Sequence, residues 1–148
     1  MGPELQTRLT ALVKTNILDE EEALEEAEKI LREHQGNRGN NEDMTISNDL
    51  LRVVSQRKSA LKTSRDFLNE VKESGPTEVV EIGADISLLF DGSPDQILLM
   101  KTPYELPDRT VITPKTPFAI AIHGMRAGER ISYTANDNTH QVVITSVS

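Results

Sequence analysis

The side chains best suited to chemistry in this sequence are three histidines, His34, His123 and His140, and the carboxylates between Asp19 and Glu28. A zinc-type centre needs several nitrogen or sulfur ligands brought together, usually two of them at close spacing in one element. No histidine here has a second one at such spacing. The chain also contains no cysteine, which removes thiolate metal sites, disulfides and cysteine nucleophiles together. Each histidine therefore reads as a surface or packing residue. The acidic run lacks the alternating-ligand loop with glycine that calcium requires, so it reads as the solvated face of a helix. No glycine pattern matches a Walker or dinucleotide loop. The expectation is a protein that is not an enzyme: no catalytic residue, no metal ligand and no cofactor of its own.

The elements that carry these residues divide the chain in two. Pro3 is the only proline before Pro76, and the other six stand at 76, 94, 103, 107, 114 and 117. Ser74-Gly75-Pro76 marks the boundary, since glycine and proline together stop a helix and turn the chain. Residues 1–75 are expected to form a helical coiled-coil hairpin with its tip near 35–44, and residues 76–148 a sheet domain. In the first half Leu50, Val54, Leu61, Leu68 and Val71 recur at steps of four and three when Arg57 and Ser64 are counted in. That is the seam of a coiled coil. Leu24, Ala27 and Leu31 give a matching stripe upstream. Asp19 and Glu22 resemble a capping box that starts that stretch, and Leu5, Leu9 and Leu12 continue it backwards after a break near Asn16. Between the stripes lies Gln35-Gly36-Asn37-Arg38-Gly39-Asn40-Asn41, rich in residues that tolerate a reversal. The spacing predicts helices over about 4–34 and 45–73, packed antiparallel. Glu20, Glu21, Glu22, Glu25, Glu26 and Glu28 would then face Arg52, Arg57, Lys58 and Lys62.

The second half alternates as strands do. Residues 79–82, 86–90, 97–100, 131–133 and 142–144 are short β-rich runs, with turn signals at Asp91-Gly92-Ser93-Pro94 and Asn136-Asp137-Asn138. Pro117 suits the first position of a short helix over 118–123. The fold class is thus α+β: an N-terminal antiparallel helical hairpin followed by a small antiparallel sheet with one short helix.

Composition agrees with an extended shape. Of 148 residues, 36% are apolar and 3% aromatic, with no tryptophan, which is thin for one compact core. The formal net charge is −8 and the isoelectric point about 4.9, so free nucleic acid would repel the chain. A protein partner with a basic surface suits it better. No apolar run is long enough to span a bilayer, and the N-terminus lacks a signal peptide's basic and apolar regions. A cytoplasmic monomer without a membrane partner is expected.

Val111-Ile112-Thr113-Pro114-Lys115-Thr116-Pro117-Phe118-Ala119, followed by Ile122-His123-Gly124 and Gly128-Glu129, resembles the I-S-x-x-S-P stretch of the Gre family. Those factors rescue stalled bacterial RNA polymerase, and the stretch belongs to their FKBP-like C-terminal domain, which Rnk-type relatives share. Ile82-Gly83-Ala84-Asp85-Ile86 resembles the opening of the same domain. Leu31-Arg32-Glu33-His34, then Gly36-Asn37-Arg38-Gly39-Asn40-Asn41-Glu42-Asp43, is similar to the family's hairpin tip, R-E-x-G-D-x-S-E-N, with one inserted residue. Hairpin and domain together cover nearly the whole chain.

The resemblance implies a factor that binds RNA polymerase through Thr113, Lys115 and Pro117 and inserts its hairpin into the secondary channel. Nucleic acid would be met only inside that complex. Cleavage-active members present an Asp and a Glu at the tip, which help hold a second magnesium at the polymerase's active centre. The matching positions here are Asn37 and Asn40. Amides offer oxygen but no charge, so transcript cleavage is expected to be weak or absent. In the alternative, Glu42 and Asp43 serve on a shifted tip and share Mg²⁺ with the polymerase; otherwise they are helix-start residues favoured by the dipole. Lys115 departs from the acidic or neutral residue common at its position. Two further readings are an FKBP-like prolyl isomerase, with Phe90, Tyr104, Phe118 and Tyr133 as its aromatic supply, and a coiled-coil adaptor with no polymerase role.

Overall fold

The computed structural model describes residues 1–36 and 41–148, and side chains for 1–35 and 45–148. Helix α1 spans Pro3–Gly36 and α2 spans Asn41–Glu73. Pro3 opens α1 at a position where its missing N–H costs nothing. No glycine or proline then interrupts the helix until Gly36, and α1 runs through Asn16 without the expected break. Asp19 consequently lies inside the helix and caps nothing. The continuity follows from the apolar pattern, because Leu5, Leu9, Val13 and Ile17 are all buried and carry the stripe past Asn16.

The two helices pack antiparallel, and the buried apolar residues of the chain gather in three separate clusters, two of which involve the hairpin. A distal one joins Ala27, Leu31 and Val54, flanked by Leu24 and Leu50. A base cluster joins Leu5, Leu9, Val13 and Ile17 of α1 to Leu61, Phe67, Leu68 and Val71 of α2. Leu98, Met100, Tyr104, Leu106 and Val111 from the second half complete it. The third lies on the other face of the sheet, under the short helix. Of the acidic residues expected to face α2, Glu21 meets Arg65 at 3.6 Å, a cation outside the four expected there. Other cations pair along their own helix, as Lys62 does with Asp66 at 2.8 Å and Arg52 with Asp49 at 3.5 Å.

The second half is a five-stranded sheet with β1 at Asp85–Phe90, β2 at Ser93–Leu99, β3 at Thr110–Ile112, β4 at Arg130–Ala135 and β5 at Asn138–Val147. The spatial order is β3-β2-β1-β5-β4. Helix α3, Pro117–Ile122, follows β3. This is the expected α+β architecture, and the sheet proves to be mixed, since β3 runs parallel to β2. Strand β3 escaped the sequence pattern because it is only three residues long, between prolines at 107 and 114. Both expected hairpin turns are present. Asp91 and Gly92 have φ of 51° and 83°, and Asn136 and Asp137 have φ of 53° and 66°, the pair of left-handed residues that a two-residue turn needs. Pro94 sits in β2 on the stretch that β3 does not reach, where a missing donor can face outward.

Residues 79–82 do not form the expected strand. Val79 makes one isolated bridge to Arg126, and Val80 is buried with its N–H donating to Met125 O at 2.8 Å. Gly83 then turns the chain at φ 91°, so no strand can extend. An added Cβ there would also stand 3.0 Å from Ser74 Oγ, just past the end of α2.

Sheet and hairpin are fastened by polar contacts as well. Both carboxylate oxygens of Glu70 accept backbone N–H groups, from Lys101 at 2.6 Å and Thr102 at 2.8 Å. Arg8 of α1 reaches Asp108 at 2.8 Å, and Arg109, nearly buried, bonds Asp85 of β1. Replacing Glu70 with Ala leaves two amides without their acceptor. The expected cost is about 1.5 kcal/mol, the low end for bonds to a charged group because the site is partly solvated. Urea unfolding of the Glu70→Ala chain reads it directly, and an unchanged midpoint would show that the clamp contributes nothing.

Candidate functional site

The three residues expected to contact a partner stand together at the entry to α3. Thr116 caps that helix: its Oγ1 accepts from Ala119 N at 3.3 Å and donates to Thr113 O at 3.0 Å. Thr116 N also donates to Thr113 O at 3.2 Å, closing Thr113–Thr116 into a tight turn. Pro117 follows in the first turn of the helix, as its fixed φ favours. Thr113 is half-buried in this turn, whereas Lys115 and Pro117 are exposed. The cation and the pyrrolidine ring are thus presented to solvent from a backbone that the Thr116 bonds hold in place.

Sequence reasoning missed Ile120, which is 65% exposed and lies one turn along α3 from Pro117, on the same side. The signal was there, since residues 117–122 are apolar throughout and a six-residue helix cannot bury every side. It also missed how the aromatic residues would group. Phe90 and Phe118 meet edge to face at 6.0 Å, Phe118 and Tyr133 at 5.2 Å, and His140 tilts over Phe90 at 4.7 Å. His140 Nδ1 is 2.6 Å from Asp91 Oδ2, and Asp91 Oδ1 accepts from Gln141 N at 2.8 Å. The imidazole and that amide together hold the Asp91 carboxyl below its ordinary range. This cluster, half-buried, adjoins Pro117 through Phe118. Tyr104, the fourth aromatic side chain of this half, is elsewhere: it stacks on Phe67 of α2 with ring centres 4.4 Å apart.

No family model matches the sequence, and no curated protein matches it. Solved structures similar to this fold include GreA factor homolog 1 (Gfh1) of Thermus thermophilus, at 16% identity over 94% of each chain with a TM-score of 0.41. Thermus aquaticus Gfh1 is similar at 17% identity, over 93% of this chain and 92% of that one, with a TM-score of 0.43. A prokaryotic transcription elongation factor GreA/GreB from Nitrosomonas europaea is similar at 16% identity, over 57% of this chain and 78% of that one, with a TM-score of 0.40.

At the other end of the molecule, Asn37, Arg38 and Asn40 lie outside the described residues. Asn41, Glu42 and Asp43 occupy the first turn of α2 in the backbone, and their side chains lie outside the description too. The histidines stand in three separate places, within α1, just after α3 and in β5. Among the described residues no group of three His, Asp or Glu side chains is gathered for a metal ion, and no helix is long and apolar enough to cross a membrane.

Proposed function

We propose that this protein is a Gre-like transcription factor that docks on RNA polymerase through the Thr113–Pro117 turn and reaches toward the active centre with its hairpin. The observation that carries the reading is the division of labour between the two ends of the chain. Beyond the base cluster the described part of the hairpin packs through Ala27, Leu31 and Val54, flanked by Leu24 and Leu50, so the distal part of the helical pair, about 30 Å long, projects from the sheet. The turn that resembles the family's contact stretch sits on the sheet, stiffened by Thr116 and flanked by exposed Pro117 and Ile120. A rigid probe mounted on a separate docking module suits a narrow channel. The −8 charge favours a basic protein surface over free nucleic acid. Asn37 and Asn40 stand where cleavage-active members carry carboxylates, so the effect proposed is modulation of initiation or elongation with little transcript cleavage, in the cytoplasm and as a monomer.

The direct test adds the protein to backtracked polymerase complexes and follows RNA length and binding together. Lys115→Glu should weaken binding to core polymerase at least tenfold. The fold should survive, because an exposed surface change costs within about 0.5 kcal/mol. Undiminished retention of the Lys115→Glu chain on immobilised core enzyme would move the docking surface elsewhere.

A further inference from the structure

We propose that the open edge of the sheet at β4 is a pairing site for β4 of a second copy of this chain, the two strands running antiparallel about a two-fold axis at Ser132. Strands β3 and β4 end the sheet, and a bare strand edge is a template for another strand. The β3 edge is closed off. That strand has three residues between Pro107 and Pro114, Glu105 bridges back to Thr110, and Val111 packs against the hairpin base. Strand β4 has none of these guards. Its six residues contain no proline and one charge, Arg130, and no register shift interrupts its pairing with β5. The turn at Asn136 and Asp137 has two left-handed residues, so Ala135 and Asn138 close it as a hydrogen-bonded pair, and pairs alternate from there. Tyr133 with His140 and Ile131 with Val142 then exchange bonds inside the sheet. Thr134, Ser132 and Arg130 point their N–H and C=O groups outward, where no described residue bonds them.

These three residues are exposed. Helix α3 leaves them uncovered, because its buried residues, Ala119 and Ile122, pack with residues of β1, β2 and β5. A second copy satisfies the edge in full. With Ser132 opposite Ser132 of the second copy, Arg130 meets Thr134 of that copy and Thr134 meets its Arg130, so every outward N–H and C=O finds a partner. Between those pairs Ile131 stands opposite Tyr133 of the second copy, at the shorter spacing of a non-hydrogen-bonded pair. A β-branched and an aromatic residue make a favourable cross-strand pair, and both side chains are only half-buried, with surface left to cover. No like charges face each other, since Arg130 meets threonine. The same patch serves both copies and the β3 edge is closed, so assembly stops at two. The pairing concerns copies free in solution, not the single copy proposed to act on polymerase.

The test is sedimentation equilibrium of the full chain, in salt that screens the −8 charge of each copy. The mass should move from one chain toward two as concentration rises from micromolar to millimolar. Ser132→Pro removes the outward N–H at the axis from both copies and leaves the β4–β5 ladder whole, since that N–H faces solvent. Pairing should weaken about tenfold, with far-UV circular dichroism unchanged. Ser132→Lys sets two ammonium groups face to face and should weaken pairing as well. A mixture of Ser132→Lys and Ser132→Asp chains should pair more tightly than either variant does with itself. Should Ser132→Pro fail to fold, the two charge variants decide the matter. A single chain at every concentration, undiminished pairing of folded Ser132→Pro, or a mixture no tighter than its components would overturn the proposal.

Discussion

Transcript cleavage should appear when carboxylates are put into the hairpin tip, as Asn37→Asp with Asn40→Glu. In a backtracked polymerase complex the unmodified protein is expected to leave the polymerase's own cleavage rate unchanged. The double variant supplies two charged oxygen ligands of the kind a hard divalent cation prefers. A metal so held contributes several kcal/mol to a developing oxyanion, which corresponds to a gain on the order of a hundredfold, each 1.4 kcal/mol being about tenfold. Glu42→Ala with Asp43→Ala should do little beyond a loss of roughly 0.3–1 kcal/mol in helix-start stability. The opposite pattern decides against this alignment: strong cleavage by the unmodified protein, abolished by Glu42→Ala or Asp43→Ala, would make those two residues the metal-facing pair. RNA length on a denaturing gel distinguishes the outcomes.

Truncating Phe67 should be the most destabilising single change at the junction. Its side chain is fully buried in the base cluster and stacks on Tyr104 at 4.4 Å. Phe67→Ala removes that volume from a region where three segments meet and none is free to collapse, at a cost of about 3–5 kcal/mol. For a chain of this size the melting temperature should fall on the order of 10 °C. Tyr104→Phe keeps the stack and loses only the hydroxyl, which leaves Asn16 and Ser64 without their shared partner. A smaller loss of about 1–3 kcal/mol is expected. Melting followed by circular dichroism at the helical band measures both, and a shift below about 3 °C in Phe67→Ala would show that the junction does not hold the two halves together.

The hairpin was legible because a helical pair must declare its seam. Leu61, Leu68 and Val71 are buried at the spacing read from the sequence, and Ser64 is buried among them as the polar member of the stripe. What the stripe could not reveal was a third surface. Phe67 stands beside Leu68, one step off the seam, and looks redundant until Tyr104 is brought across from a segment 37 residues later, 104 less 67. The parallel seating of β3 was hidden for a related reason: three residues carry no period, and only packing from both sides gives them a strand's conformation. At the candidate docking turn the order of Thr113, Lys115 and Pro117 was readable from proline and threonine chemistry. The exposure of Ile120 and the gathering of Phe90, Phe118, Tyr133 and His140 depend on which strands lie side by side, and strand order is not written locally. The false break near Asn16 has the same origin, since a polar residue that looked like an interruption bonds to Tyr104 across the junction.

The base from which the distal half of the hairpin projects has a geometric consequence. A cantilever of about 30 Å converts one degree of tilt at its root into a displacement of roughly half an ångström at its far end. Substitutions at Phe67, Glu70 or Tyr104 that leave every tip residue in place would still change where the tip arrives. In such a molecule aim is set at the root, and small tilts there separate a tip that meets its target from one that passes beside it.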